Sequence, residues 1–343
     1  MIRRLVFLSA LIGVAGPLVA QENERQPERL FRDRTPLEIT IRAPFSELFK
    51  DRDTLESKPV QGMLEYTDER RGAVSIPLTL ETRGHFRLKR TTCSFAPLKV
   101  RFDKEQAKGT TFANQGSIKL VTHCQNGDRY QQNLLIEEGT YRMYNLLTPL
   151  SHRTRLAKIR YLPPDTTKAV TRYGFFIEDD EEMAKRNNGK LLMQQGGNFN
   201  QMASYQMDLV SVFQYLIGNT DWSVFAIHNI RIVDMQAADY QPVAYDFDFS
   251  GLVNSAYASP DPRLPIKSVK DRLYRGPCRK IEELLPVLTR FNQAKDSMYA
   301  ALTGVPGLDP KRAQEATDYL DGFFKRIKDP KGFDDAIGYA CRR

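Results

Sequence analysis

The feature that most constrains this chain is a change of hydrophobic period part-way along it. From about residue 37 to 178 the sequence alternates apolar and polar residues in the manner of β-strands. "LEITIRAP", "SIPLTLETRG", "APLKVRFD" and "GSIKLVTHC" read as strands, and "TRLAKIRYLP" and "TRYGFFIED" follow them. One helix interrupts, "DRYQQNLLIEEGTYRMYNLLT", with Leu134, Leu135, Tyr141, Tyr144 and Leu147 at helical spacing and Gly139 weakening its middle. The acidic-then-basic stretch "DDEEMAKRNNGK" reads as a linker. Beyond it the period is helical: "MASYQMDLVSVFQYLIGN" ends at Gly218 as a C-cap, and two long helical segments close the chain after a proline-rich stretch from Gly251 to about Cys278.

The ends and the cysteines bound the compartment. "MIRRLVFLSALIGVAGPLVA" has the charged start, apolar run and small final residue of a bacterial signal peptide, cleaved after Ala20. Its apolar run from Leu5 to Ala20 is too short for an ordinary membrane span and contains Pro17. Residues 21–36 read as a flexible leader. Cys93, Cys124, Cys278 and Cys341 make an even set without a CxxC, which points to two disulfides rather than zinc. Pairing Cys93 with Cys124 and Cys278 with Cys341 keeps each bridge within one half. The net charge is +8, or +6 once Arg3 and Arg4 leave with the signal. That mild, dispersed excess suits phosphate ligands or anionic surfaces but has no nucleic-acid motif. A secreted or periplasmic protein without an integral membrane segment is therefore expected; nothing in the sequence sets its oligomeric state.

The chemistry concentrates between Gly218 and Gly251, "GNTDWSVFAIHNIRIVDMQAADYQPVAYDFDFSG". Asp221 follows a helix, Asn229 precedes a strand, and Asp246 and Asp248 end the next strand. Phosphoryl transfer requires this mixture of groups. Mg²⁺ or Mn²⁺ takes one or two carboxylates and an amide oxygen alongside phosphate oxygens and water, while a separate carboxylate orients the attacking hydroxyl. Asp221 fits the positioning role, and Asn229, Asp246 and Asp248 the metal role. A strand lysine, Lys99 or Lys119, would grip the ATP phosphates, with Glu137 or Glu138 on the helix as its partner, Glu138 being preferred. Strands with one helix in residues 37–180, then helices in 181–343, give the expected fold: α+β, a bilobal protein-kinase-like plan with a nucleotide-binding β-rich N-lobe and a mostly helical C-lobe.

Taken in order, the segments from about Leu78 to Gly251 resemble the spore-coat CotH-type kinases, a secreted branch of atypical kinases. "TRGHFR" stands at that family's Arg-Gly-Asn-Ser stretch. "APLKVRFDK", "SIKLVTHCQNGDRYQQNLL" and "RYGFFIEDDEEMAK" are similar to successive family segments, and "NTDW…HNIRI…PVAYDFDFSG" to its Asp/Asn/Asp set. The sequence departs in four ways: eight positions separate Asp221 from Asn229, His228 precedes Asn229 rather than the aspartate, the Asn-Ser pair is missing, and there is no GxGxxG. The resemblance implies transfer of the γ-phosphoryl of ATP to a hydroxyl on a protein or small molecule.

Blander readings stand beside it. A kinase-fold scaffold binding a divalent ion without turnover is one, and a metal-dependent phosphate-ester hydrolase needing neither lysine is another. Asp246 and Asp248 alone could hold Ca²⁺. Asp221 and Asn229 are also ordinary turn residues. His228 and Trp222 read as packing residues, and Arg83, Arg142 and Arg153 as phosphate contacts or ion-pair partners. Arg272 and Arg275 fall where a substrate loop would lie.

Overall fold

A computed structural model of the protein describes residues 25–342, apart from 51, 53–57, 165–168, 193–196 and 236–239. The expected signal peptide, 1–20, lies outside the described residues.

Strands β1 (Leu37–Arg42), β2 (Val60–Asp68), β3 (Gly72–Thr82), β4 (Leu98–Phe102), β5 (Ser117–Val121), β6 (Thr154–Leu162) and β7 (Val170–Ile177) form one sheet. Its order is β1-β2-β3-β4-β5-β7-β6, and β6 returns to pair with β1 in parallel from Leu37 opposite Ala157 to Arg42 opposite Leu162. This closure overturns the bilobal kinase-like expectation: the upstream strands make a closed seven-stranded barrel, with no free edge to aggregate or to take another chain. The sequence reading counted six strands here and missed β2, whose pattern is interrupted by Gly62. A Cβ at Gly62 would stand 2.7 Å from the Arg42 carbonyl oxygen, so the residue is required by the close approach of β1. Alternate residues Ile39, Ile41, Leu64, Ile76, Leu78, Leu80, Leu98, Val100, Ile118, Leu120, Ile159 and Phe176 fill the barrel. Leu30 and Phe31 join that core, so residues 25–36 lie against the barrel rather than running free as a leader.

The short helices α1 (Phe45–Leu48) and α2 (Lys104–Ala107) cap turns of the barrel, and α3 (Asp128–Leu147) follows β5. Helix α3 is buried on nearly every side from Asn133 to Tyr144. It continues through Gly139 because a Cβ there would come within 2.6 Å of Leu302, on the helix that crosses it. The helix propensity lost at that glycine is offset by this contact.

The expected linker is a helix, α4 (Asp180–Arg186). Its acidic-then-basic order, read as a charge run, is a helix signature. Asp179 accepts the N–H groups of Glu181 and Glu182 as N-cap, with acids in the first turn and Lys185 and Arg186 in the last. Strand β8 (Lys190–Leu192) then leads to α5 (Ser204–Ile217), which stops at Gly218 in the left-handed region (φ 63°). Strands β9 (Ile230–Asp234) and β10 (Tyr240–Ala244) form the hairpin expected in the mostly helical half, and β8, which was not expected, extends it to a second sheet ordered β10-β9-β8. Helices α6 (Ile281–Thr303), α7 (Pro310–Ile327) and α8 (Pro330–Ala340) finish the chain. None of the described helices is long and apolar enough to cross a membrane.

Both disulfides pair as expected, Cys93 with Cys124 and Cys278 with Cys341. The first fastens the loop after β3 to the segment entering α3. The second ties the proline-rich stretch to the end of α8.

Candidate functional site

Helix α5 ends at Gly218 and delivers Asp221 into a short loop. A two-way backbone bridge between Ser223 and His228 (2.9 Å each way) folds that loop back on itself. Ile227 (φ 48°) and Asn229 (φ 52°) both adopt the left-handed conformation that L-residues ordinarily avoid. The strain puts the Asn229 side chain onto Asp221: Nδ2 donates to the Asp221 carbonyl at 2.7 Å and to Oδ2 at 3.1 Å. His228 Nε2 lies 2.9 Å from the other carboxylate oxygen, Oδ1. That hydrogen bond holds the His228 imidazole above its ordinary pKa. Both Asp221 oxygens are thus oriented, while the side chain stays 40% exposed and open to a hydroxyl.

At the far end of the hairpin Asp246 is also left-handed (φ 60°), its N–H donated to the Tyr141 hydroxyl of α3 at 2.9 Å. Two residues on, Asp248 is buried and accepts from the Tyr257 hydroxyl at 2.8 Å. Burial, then the charge of Asp246, raises its pKa to about 7, with Arg87 opposing. Glu137 is buried on α3, and its Oε1 has no hydrogen-bond partner. Burial and the charge of Asp248 hold this carboxyl well above its usual range. One cation serves them all. Burial works against the charge on Arg87, yet Tyr257, Asp248, Glu137 and Asp246 together keep that guanidinium above its ordinary value. Arg87 is anchored by a 2.7 Å bond to the Thr122 carbonyl, and its neighbour Phe86 packs against Phe249 and Tyr257.

A second cluster of opposite balance adjoins the first through Tyr245. Asp180, at the start of α4, accepts from Lys119 (2.8 Å) and Arg231 (2.8 Å) and lies 2.9 Å from His152 Nε2. Burial opposes its charge, but His152, Lys119 and Arg231 pull its pKa far below the carboxylate range. Arg231 and Lys119 both sit over the Tyr245 ring, at 4.2 and 5.3 Å from its centroid. The charge of Arg83 is felt by both Lys119 and Glu137, which places it between the two clusters.

Of the residues singled out from sequence, Asp221 and Asn229 are in direct contact, and Asp246 and Asp248 share one electrostatic neighbourhood. Lys119 stands at the same cleft, bound to Asp180. Lys99 does not. It is its cross-strand neighbour on β4, but at 43% exposure it reaches only Glu81, 3.8 Å away on the barrel wall. Glu138 is also elsewhere, taken up by Arg142 (2.7 Å) and Thr154 (3.0 Å); the helix glutamate of the cleft is Glu137. The clue was present, since Glu137 and Tyr141 are four apart and share a helix face. Arg87, Tyr257, Asp180 and Arg231 were missed, because they are far from the hairpin in sequence and belong to no recognisable spacing. Arg272 is structural, capping the α5 end at the Leu216 carbonyl and stacking on Tyr319; Arg275 binds the Thr220 carbonyl behind Asp221.

Among the described residues, no three His, Cys, Asp or Glu side chains converge as a ready-made cation cage. Mg²⁺ does not require one: two carboxylates, an amide oxygen, waters and phosphate oxygens complete its octahedron. Asp246, Asp248 and Asn229 are the chemistry of that donor set. Excess carboxylate thus stands on one side of Tyr245 and excess cation on the other. The chain matches no protein-family model, no curated protein and no solved structure.

Proposed function

We propose that this protein is an exported, metal-dependent phosphotransferase of the CotH-type kinases, moving the γ-phosphoryl of ATP to a hydroxyl on a protein or small molecule. The reading rests on the site and not on the fold, since unrelated architectures carry the same chemistry. The observation that carries it is the Asp221 carboxylate, exposed yet oriented by His228 and Asn229, beside the acid-rich group of Asp246, Asp248 and Glu137. In this reading Asp246, Asp248 and Asn229 would hold Mg²⁺ or Mn²⁺, which when bound would neutralise charge on the transferred group. Arg87, Lys119 and Arg231 bind phosphate oxygens. Asp221 accepts the acceptor's hydroxyl proton as its oxygen bonds to the γ-phosphorus; the bond to the β–γ bridging oxygen breaks, and ADP leaves with the electron pair. Two disulfides and the signal-peptide pattern of residues 1–20 support export.

A second reading, a divalent-ion-binding scaffold without turnover, is favoured by one feature: both Asp221 oxygens already have partners within the protein. One assay separates the two. The chain from Gln21 onward, given γ-labelled ATP with Mg²⁺ or Mn²⁺, is expected to transfer label to itself or to an added acceptor. Asp221→Asn and Asp246→Ala should each lower that rate by about 10²-fold or more. Absence of label with either ion, with no nucleotide-dependent rise in melting midpoint, would leave the scaffold.

A further inference from the structure

Next to the acid-rich group lies a small cavity where three chain segments meet. Asn133 and Glu137, four apart and therefore on one face of α3, line it from the helix. Arg87 and Thr122 line it from the barrel side, and Ser255 and Tyr257 from the loop after β10. Its volume is about 10 Å³.

The polar atoms around this cavity set it apart. Arg87 Nε, Asn133 Nδ2, Glu137 Oε1 and Ser255 Oγ are all buried and have no hydrogen-bond partner among the described residues. Unmet buried groups are costly and rare in native structures, so four of them around one cavity call for a common partner. Their neighbours fix which atoms remain to be met. Asn133 Oδ1 accepts from Arg312 Nη2 at 3.2 Å, which leaves Nδ2 on the other side of the amide. Arg87 Nη2 is spent on the carbonyl of Thr122, itself a lining residue, at 2.7 Å, which leaves Nε. Ser255 is the adaptable member, because its hydroxyl rotates and also acts on the Tyr257 phenol.

The chemistry of these groups identifies the partner. Arg87 Nε–H and Asn133 Nδ2–H are donors and require an acceptor, whereas Glu137 Oε1 requires a donor. A metal ion cannot accept from the first two, and a halide cannot donate to the third. Water does both, and the cavity has room for one molecule of it.

We propose that this cavity is a binding site for a single buried water, which accepts from Arg87 Nε and Asn133 Nδ2 and donates to Glu137 Oε1. Ser255 Oγ receives its second proton. The water completes the seat of Arg87. With Nη2 on Thr122 and Nε on the water, the guanidinium shared by Asp248, Glu137 and Asp246 is held at two nitrogens. Asn133 acts on Arg87 through the water and is a positioning residue for it. The site does not depend on the phosphotransferase reading.

A crystal structure of the chain from Gln21 onward, at a resolution that shows ordered water, tests the site directly. Density for one oxygen about 2.7–3.2 Å from Arg87 Nε, Asn133 Nδ2 and Glu137 Oε1 is expected. No density there, or direct bonds among those three atoms, would overturn the proposal. So would ligand distances of about 2.0–2.5 Å, which belong to a metal ion. In solution, the Arg87 Nε–H signal in proton–nitrogen NMR spectra should show a cross-peak to long-lived water. That cross-peak should be lost in Asn133→Leu, which keeps the side-chain size without the donor. The Arg142 Nε–H signal, bonded to Glu138 on the same helix, should not change. A cross-peak that survives in Asn133→Leu, or is absent from the unmutated protein, overturns the proposal. If both signals change, the variant is misfolded, and the density in the unmutated protein decides.

Discussion

Two carboxylate clusters sit on either side of Tyr245, and they differ in balance. Asp180 is surrounded by Lys119, Arg231 and His152, so its charge is over-compensated and its hydrogen bonds are full. Asp246, Asp248 and Glu137 share essentially one cation, Arg87, and Glu137 keeps an oxygen without a partner. Asp180 and Asp246 are half-buried while Asp248 and Glu137 are buried, so burial alone does not separate the two clusters. The sum of neighbouring charges does. A cluster short of cations gains by binding one, and a cluster short of anions gains by meeting a phosphate. In the proposed function, their adjacency lets one ligand, a metal-bound phosphate chain, meet both.

The comparison breaks most directly at Asp180. Asp180→Asn removes the anion bonded to Lys119, Arg231 and His152, and should cost about 3–5 kcal/mol of stability in chemical denaturation at pH 7. A cost under about 1 kcal/mol would mean that solvent already compensates those cations.

The pH dependence sharpens it, because the two clusters tilt stability in opposite directions. Folded Asp248 holds its proton up to about pH 7, while the unfolded carboxyl releases it near 3.8. Between those values the folded state binds the extra proton, so this group's contribution makes stability fall as pH rises and then level off above 7. Asp180, with its pKa depressed, contributes stability that is present above 3.8 and lost as the pH drops below it. Unfolding free energies from pH 4 to 8 should show Asp248→Asn gaining on the wild type by up to about 1.4 kcal/mol per pH unit. Parallel curves for the two proteins would show that Asp248 is ionised throughout and that the cluster is not short of cations.

The smallest effect belongs to Lys99. Its exposed pairing with Glu81 predicts that Lys99→Ala changes stability by no more than about 0.5 kcal/mol and leaves label transfer intact, whereas Lys119→Ala lowers transfer. Equal loss in both variants would move the phosphate grip out to the barrel wall.

What could be read from residues alone was local. The helix ending at Gly218 and the hairpin with Asp221 and Asn229 at one end and Asp246 and Asp248 at the other follow from period and turn residues; cysteine parity gave two disulfides, and keeping each bridge within one half selected their pairing among three. Strand positions were mostly legible, because alternation reports that one face is buried. It does not report against what. The barrel depends on β6 returning to β1 across more than a hundred residues, and that pairing leaves no mark on either strand's pattern. That Glu137 rather than Glu138, and Lys119 rather than Lys99, stands beside the two charge clusters was decided by helix rotation and by which part of the barrel wall is covered. Arg87 entered the site only because the loop carrying it, fastened by Cys93–Cys124, folds onto Phe249 and Tyr257. Charges act through space, so their balance exists only once distant segments have met; the chain order that encodes each segment holds no record of those distances.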